Sequence, residues 1–165
     1  MKCLALDGNS LAYRAFFALP SDMATSAGQI TNAVVGFTSM LVNLVKDQQP
    51  DSIIVVFDRP EKTFRHEAVP EYKAQREAAP DALRSQMGII RELLDALGIA
   101  ALDMAGFEGD DLIATIATHA EEQGSELIVV TGDRDSYQLV KDPLVRVLYN
   151  KRGVSHYALY DEVGI

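Results

Sequence analysis

The residues of this sequence best suited to chemistry are acidic, and they follow four short apolar segments. Each segment is followed within a few residues by one or more carboxylates, namely Asp7, Asp58, Glu108, Asp110, Asp111, Asp133 and Asp135. Oxygen ligands without Cys or His partners suit hard, octahedral cations such as Mg²⁺ or Mn²⁺. Two such ions about 4 Å apart can activate a water and stabilise the leaving oxygen of a phosphodiester. The sequence therefore predicts a divalent-metal site if the fold brings these carboxylates together.

The elements that would position these carboxylates alternate between apolar runs and amphipathic stretches. Strands are predicted at residues 2–6, 52–57, 99–102, 126–130, 144–148 and 155–159. Helices are predicted at residues 10–17, 31–46, 81–97 and 108–122. Continuous apolar strands between helices indicate an α/β fold, with a mostly parallel central sheet and helices on both faces. In such sheets, ligands bind outside the carboxyl ends of the strands, where these acids lie.

A simpler explanation of these acids is helix capping. Asp and Glu are common on surfaces, and an acid after a strand often caps the helix that follows. That explanation suffices for any single acid. Four groups after four strands favour a shared site, because two unit charges 5 Å apart repel by about 3 kcal/mol at an effective dielectric near 20, which bound cations relieve.

Charge is distributed unevenly along the chain, whose net charge is −9. Residues 103–135 hold nine acidic residues and one basic residue, whereas residues 58–91 hold seven basic and six acidic residues. In the stretch TFRHEAVPEYKAQR, Lys73 and Arg76 are three apart and would share a helix face towards phosphates. Tyr72 could stack on a base or sugar. A solvated helix with alternating charges is the alternative for this stretch.

Composition excludes several other classes. With 48% hydrophobic and 24% charged residues, the 165-residue chain has the composition of a soluble globular protein, predicted as one domain. A lone cysteine, Cys3, allows no intrachain disulfide and favours a reducing, cytoplasmic compartment. No apolar run reaches the ~20 residues that span a bilayer, and MKCLALDG reaches an acid too early for a secretory signal. No GxxxxGK[ST], GxGxxG, HExxH or GxSxG motif is present.

We interpret Phe16, Phe17 and Phe37 as packing residues.

Several motifs together resemble a known family. They are LDGNSLAYRAFFALP, TNAVVGFTSML, FDRPEKTFRHEAVPEYKAQR, GFEGDDLIATIA and TGDRDSYQLV. In this order they resemble the 5′-nuclease domain of bacterial DNA polymerase I and the related flap endonucleases, which have a PIN-like α/β fold. The resemblance implies a metal-dependent 5′–3′ exonuclease and structure-specific flap endonuclease. Its substrates would be DNA with 5′ flaps or branches and RNA primers, and a polymerase domain could follow in the parent chain.

The resemblance also implies roles for individual residues. The seven acids become ligands, direct or through water, of two divalent ions, Mg²⁺ or Mn²⁺. Lys73 and Arg76 match basic residues of a helical arch, here about residues 60–80, that contact the scissile phosphate. Tyr72 matches a stacking position and Arg65 a phosphate contact. Amides near Gly28, Thr31 and Asn32 would approach the DNA.

One departure from the family leaves alternatives open. The family continues into a helix–hairpin–helix region that supplies two more metal-ligand aspartates, and this chain stops at Ile165, before such a region. A fragment that binds metal and DNA without cleaving is therefore an alternative to the enzyme. A receiver-type signalling domain also carries strand-end aspartates, and Thr131 could serve as its threonine. That reading leaves the seven acids and the EYKAQR stretch unexplained.

Overall fold

The protein is built around a six-stranded sheet in the order β3-β2-β1-β4-β5-β6. A computed structural model describes residues 1–59, 80–152 and 156–164. The strands are β1 (Lys2–Asp7), β2 (Ser52–Val56), β3 (Ala100–Leu102), β4 (Glu126–Thr131), β5 (Val145–Arg152) and β6 (His156–Tyr160). The first five strands are parallel to their neighbours, and β6 runs antiparallel to β5. The mostly parallel sheet predicted from the sequence is confirmed.

Helices cover both faces of this sheet. They are α1 (Gly8–Ala18), α2 (Asn32–Gln48), α3 (Asp81–Ala96) and α4 (Gly109–Gln123), with a 3-10 helix at Arg134–Leu139. One core joins α1, α2 and α3 to the face that carries Leu4 and Leu6. The second core packs α4 against the face that carries Ala5. Adjacent residues of β1 thus enter different cores, as expected for a strand buried on both sides. None of the helices in the described ranges is long and apolar enough to cross a membrane.

The first helix begins earlier than its sequence pattern indicated. It starts at Gly8, because the Asp7 side chain accepts a hydrogen bond from the Ser10 amide at 3.2 Å and so caps it. A Cβ at Gly8 would lie 2.5 Å from the Phe57 ring, so the helix start can approach β2 only without a side chain. Phe17, interpreted above as a packing residue, is 60% exposed, and that prediction is wrong.

A buried polar network holds α3 against α1 and α2. The Gln86 side chain, on α3, is fully buried and donates to Asn32 Oδ1 at 2.9 Å. The side-chain oxygen of Gln86, Oε1, accepts from the backbone amides of Ala33 at 2.7 Å and Val34 at 3.1 Å. Asn32 in turn donates to the Phe16 carbonyl at 2.8 Å. The first amides of α2, which have no partner within their own helix, are therefore satisfied from α3.

Candidate functional site

The carboxyl ends of three central strands meet at one edge of the sheet. Asp7 is the last residue of β1 and pairs with Val56 at the end of β2, while Leu6 pairs with Val130 of β4. Asp58 follows β2 by two residues, and Asp133 follows β4 by two residues. The parallel register thus puts the acids that follow β1, β2 and β4 at the same edge.

Asp7 is the buried centre of this group. The residue is 9% exposed, and its second carboxylate oxygen accepts a hydrogen bond from the Thr131 hydroxyl at 3.0 Å. Burial, followed by the negative charge of Asp110, raises the pKa of the Asp7 carboxyl to about 7, and Asp58 adds to the rise. The hydrogen bonds from Ser10 and Thr131 oppose the rise without cancelling it. Asp110 and Asp58 therefore lie close enough to Asp7 for their charges to act on it.

Asp58 joins the end of β2 to the start of α4. One of its carboxylate oxygens accepts from the Gly109 amide at 2.5 Å, and its own amide donates to Asn9 Oδ1 at 2.8 Å. A Cβ at Gly109 would lie 3.2 Å from that carboxylate oxygen, a tight contact. The N-terminus of α4, which carries the positive end of the helix dipole, thus faces a carboxylate that follows β2.

Glu108 and Asp111 form a capping box at the start of α4. The Glu108 amide donates to the Asp111 carboxylate at 2.9 Å, and the Glu108 side chain accepts in return from the Asp111 amide. Glu108 is buried, whereas Asp110 in the same turn is exposed. A helix N-terminus favours acidic residues, so this turn can hold several of them.

Thr131, at the end of β4, connects Asp7 of β1 with Asp133. Its hydroxyl donates to Asp7 and accepts from the Asp133 amide at 3.0 Å, and the residue is fully buried. Asp133 in turn accepts from the Asp135 amide at 2.9 Å and caps the 3-10 helix. Sequence reasoning considered Thr131 only for a signalling domain. The signal that could have found its role is a polar residue closing the apolar strand ELIVV immediately before Gly132 and Asp133.

The donor set fits a hard divalent cation in its chemistry. The acids at this edge offer only oxygen atoms. A cap by itself favours the ionised carboxylate and lowers a pKa, so the raised pKa of Asp7 reflects burial and like charge, which a cation would relieve. Within residues 1–59, 80–152 and 156–164, no three His, Cys, Asp or Glu side chains are arranged to hold one ion. A three-ligand site formed from these residues thus needs side-chain rotation or water-mediated contacts.

The residues predicted to contact DNA are placed only in part. Arg65, Tyr72, Lys73 and Arg76, together with the arch expected at about 60–80, lie outside the described residues apart from Pro80. The Thr31 amide donates to the Met23 carbonyl at 2.9 Å, and the approach of DNA to the backbone near this residue stays a prediction.

The Asn32 side chain is fully buried and serves the network with Gln86 and Phe16. A side-chain contact from Asn32 to DNA is therefore excluded in this conformation. The resemblance implied a backbone contact near this residue, and that contact stays a prediction.

Fold and site together define an α/β protein in which Asp7, Asp58 and Asp133 follow parallel strands at the carboxyl edge of a mostly parallel sheet. The chain belongs to the family described as the N-terminal, resolvase-like domain of 5′-3′ exonucleases, whose model matches residues 2–164. It is similar to DNA polymerase I of Mycobacterium tuberculosis, with 54% identity over 153 residues, which are 92% of this chain and 17% of that protein. DNA polymerase I of Geobacillus stearothermophilus is 44% identical over 159 residues, 96% of this chain and 18% of that protein. The chain thus spans less than a fifth of these relatives.

Solved structures share the fold at low sequence identity. The T5 5′-exonuclease with bound zinc ions matches with a TM-score of 0.71 and 20% identity, over 98% of this chain and 58% of that one. A T5 D15 flap endonuclease in complex with DNA and metal ions matches with the same TM-score, identity and coverage. At this identity, the likeness establishes the fold that was predicted as PIN-like.

Proposed function

We propose that this chain carries the catalytic centre of a metal-dependent 5′-nuclease, acting as a 5′–3′ exonuclease and flap endonuclease. Its substrates would be DNA with 5′ flaps or branches and RNA primers, in the cytoplasm, with a polymerase domain in the parent chain. The observation that carries the proposal is the Asp7 carboxyl, buried beside the charges of Asp110 and Asp58. Membership of the 5′-3′ exonuclease family and the DNA-bound T5 relative support it.

The reaction is hydrolysis of a phosphodiester. A water oxygen bonds to phosphorus in line with the 3′-oxygen that leaves, giving a 5′-phosphate and a 3′-hydroxyl. Two divalent ions, Mg²⁺ or Mn²⁺, would supply the activated water and neutralise charge on the phosphate. The residues that would hold them are Asp7, Asp58, Glu108, Asp110, Asp111, Asp133 and Asp135.

The described residues do the positioning for this chemistry. Ser10 and Thr131 each hold one oxygen of the Asp7 carboxylate, so its orientation is fixed before any cation arrives. The Thr131 hydroxyl also accepts from the Asp133 amide, so one side chain contacts both Asp7 at the end of β1 and the turn after β4. Such preorganisation reduces the reorganisation needed during the reaction. Lys73 and Arg76 would grip the scissile phosphate, with Arg65 on a neighbouring phosphate and Tyr72 stacked on a base.

A cleavage assay tests this proposal. The protein is incubated with a 5′-labelled flap DNA and Mg²⁺ or Mn²⁺, and the labelled products are resolved by size. We expect Asp110→Ala and Asp133→Ala to lower the rate on the order of a hundredfold, because each removes a carboxylate that would hold a divalent cation at the scissile phosphate. The matched control is Asp47→Ala, which removes an exposed carboxylate from α2 and should cleave like the parent.

Parent-like cleavage by both site variants would overturn the carboxylate assignment. Binding of flap DNA without cleavage by the parent would instead identify a metal- and DNA-binding module.

A further inference from the structure

One carboxylate near the candidate centre, that of Asp103, pairs with two arginines from different parts of the fold. Asp103 is the first residue after β3, and its oxygens lie 3.4 Å from Nη1 of Arg59 and 2.6 Å from Nη2 of Arg91. Its side chain is only 22% exposed. Arg59 follows Asp58 directly in the chain, whereas Arg91 lies on α3. The Asp103 carboxylate thus connects the residue next to a candidate ligand with a helix that covers the sheet.

Arg91 is also held by a ring at the end of β2. Its guanidinium carbon lies 4.8 Å from the centre of the Phe57 ring. Phe57 is buried, and its amide donates to the Leu102 carbonyl at 2.8 Å. A guanidinium that stacks on an aromatic ring is restricted in its orientation. Arg91 therefore offers Asp103 a donor whose position is already set by the sheet.

The loop between β3 and α4 is fixed at its other end as well. The Gly109 amide, at the start of α4, donates to the Asp58 carboxylate at 2.5 Å. Between these two ends, Met104 and Phe107 are exposed, so burial of apolar side chains contributes little to holding the loop. The position of the loop therefore depends on its contacts at Asp103 and Gly109.

This loop leads into the turn that carries three of the seven acids, Glu108, Asp110 and Asp111. Their separation from Asp58 depends on where the loop places the start of α4. A divalent cation accepts ligands only within about 0.2 Å of its preferred distances, so groups that orient the ligands influence affinity without touching the metal. Partly exposed ion pairs, by contrast, contribute little to the stability of a fold.

We infer that Asp103 is a positioning residue of the candidate metal centre, which through Arg59 and Arg91 sets the separation of Asp58 from the acids at the start of α4. The inference rests on the proposed function, since it concerns the cations that this function requires. Asp103 acts through the backbone of the loop and through the segment after β2, and not as a ligand.

Calorimetric titration of the 165-residue protein with Mn²⁺, in the absence of DNA, tests this inference. The proteins compared are the parent, Asp103→Asn, Arg59→Gln and the double variant. We expect binding about tenfold weaker in Asp103→Asn and about threefold weaker in Arg59→Gln, in which Asp103 still pairs with Arg91. The double variant should bind about fivefold more weakly than the parent, and not the thirtyfold of independent changes, because both substitutions remove one interaction.

The direction of the Arg59→Gln effect separates positioning from a simple effect of charge. Loss of a positive charge beside an acidic centre would by itself strengthen cation binding, and loss of the Asp103 charge would weaken it. Charge alone therefore predicts opposite changes in the two single variants and parent-like binding in the double variant. Stronger Mn²⁺ binding by Arg59→Gln, together with parent-like binding by the double variant, would overturn the inference.

The matched control is Glu126→Gln, which breaks an ion pair with Arg146 at the amino end of β4. The two side chains are 35% and 26% exposed, close to the values for Asp103 and Arg59. Glu126→Gln should bind Mn²⁺ like the parent, while its free energy of unfolding in EDTA should fall about as much as that of Asp103→Asn.

The outcomes distinguish this inference from the function on which it rests. Parent-like Mn²⁺ binding by Asp103→Asn, or an equal loss of binding in Glu126→Gln, would overturn the inference alone. If Asp103→Asn fails to fold, Arg59→Gln provides the test, and parent-like or stronger binding by it would overturn the inference. Failure of the parent to bind Mn²⁺ would overturn the proposed metal-dependent function as well.

Discussion

Replacing Asp7 with asparagine should change how the stability of the metal-free protein depends on pH. The folded protein holds this carboxyl at a pKa of about 7, against an ordinary value of 3.8. Its protonated form therefore favours the folded state, and that advantage is complete below about pH 4 and lost as the pH rises through 7. The free energy of unfolding of the parent should fall over this range more steeply than that of Asp7→Asn.

The size of this effect follows from the shift in pKa. A difference of roughly three pH units at about 1.4 kcal/mol each corresponds to about 4 kcal/mol. Relaxation around the ionised group reduces that figure, and we expect 2–4 kcal/mol, on the order of a quarter to a half of the stability of a typical domain. Asparagine keeps a carbonyl oxygen that can accept from Ser10 or Thr131, so the substitution removes the charge and retains an acceptor.

Urea unfolding in EDTA at a series of pH values between 4.5 and 8 provides the measurement. Asp47→Asn, an exposed carboxylate on α2, reports the effect of removing one surface charge. The difference between Asp7→Asn and the parent, relative to this control, should grow as the pH rises. A difference that stays constant with pH would show that the pKa of the Asp7 carboxyl is not raised in the folded protein. Repeating the series with Mg²⁺ should reduce the difference, since a cation stabilises the ionised form.

Two further predictions concern the packing that supports the site. Gly8→Ala should lower the free energy of unfolding by about 1–3 kcal/mol, because its Cβ would meet the Phe57 ring at 2.5 Å. The matched control is Gly88→Ala, on α3, where a Cβ would meet open space. This change should raise the free energy of unfolding by about 0.5–1 kcal/mol, because alanine favours a helix more than glycine does. If urea unfolding gave the same effect for both variants, the close approach at Gly8 would be refuted. Gln86→Ala should cost about 1–3 kcal/mol, because it removes the acceptor of the Val34 amide and one of the partners of both Asn32 and the Ala33 amide. The exposed Gln138→Ala should cost little, and an equally small effect at Gln86 would contradict the buried network.

The order of elements and the edge that carries the acids could be predicted from the sequence because both depend on local patterns. The runs SIIVVF and ELIVV are apolar without interruption, as buried parallel strands require, and an acid follows each one. The parallel arrangement then places Asp7, Asp58 and Asp133 at one edge without any further information.

The contacts that orient the site could not be predicted in the same way. Thr131 meets Asp7 across 124 positions of sequence, and Arg14 meets Tyr149 across 135. Gln86 meets Asn32 across 54 positions. Each pairing depends on strand order and on the rotation of a helix about its axis, and neither leaves a pattern within a short window. The 3-10 helix at Arg134–Leu139 was missed for a local reason, since six residues after a turn carry no periodic signal.

Capping and cation binding, posed as alternatives at the level of sequence, are compatible at this edge of the sheet. Asp7 caps α1, Asp133 caps the 3-10 helix, and Asp58 accepts from the start of α4. A carboxylate has about four lone-pair sites, and each of these bonds occupies one of them. The helix ends therefore orient the carboxylates and offset part of their mutual repulsion while leaving oxygen sites for a cation. The repulsion that the caps do not offset remains in the raised pKa of Asp7. The side-chain amide of asparagine can accept the capping hydrogen bond, but it lacks the negative charge that a cation needs from its ligand. Asparagine variants therefore separate the capping role of each acid from its cation-binding role, which alanine variants cannot do.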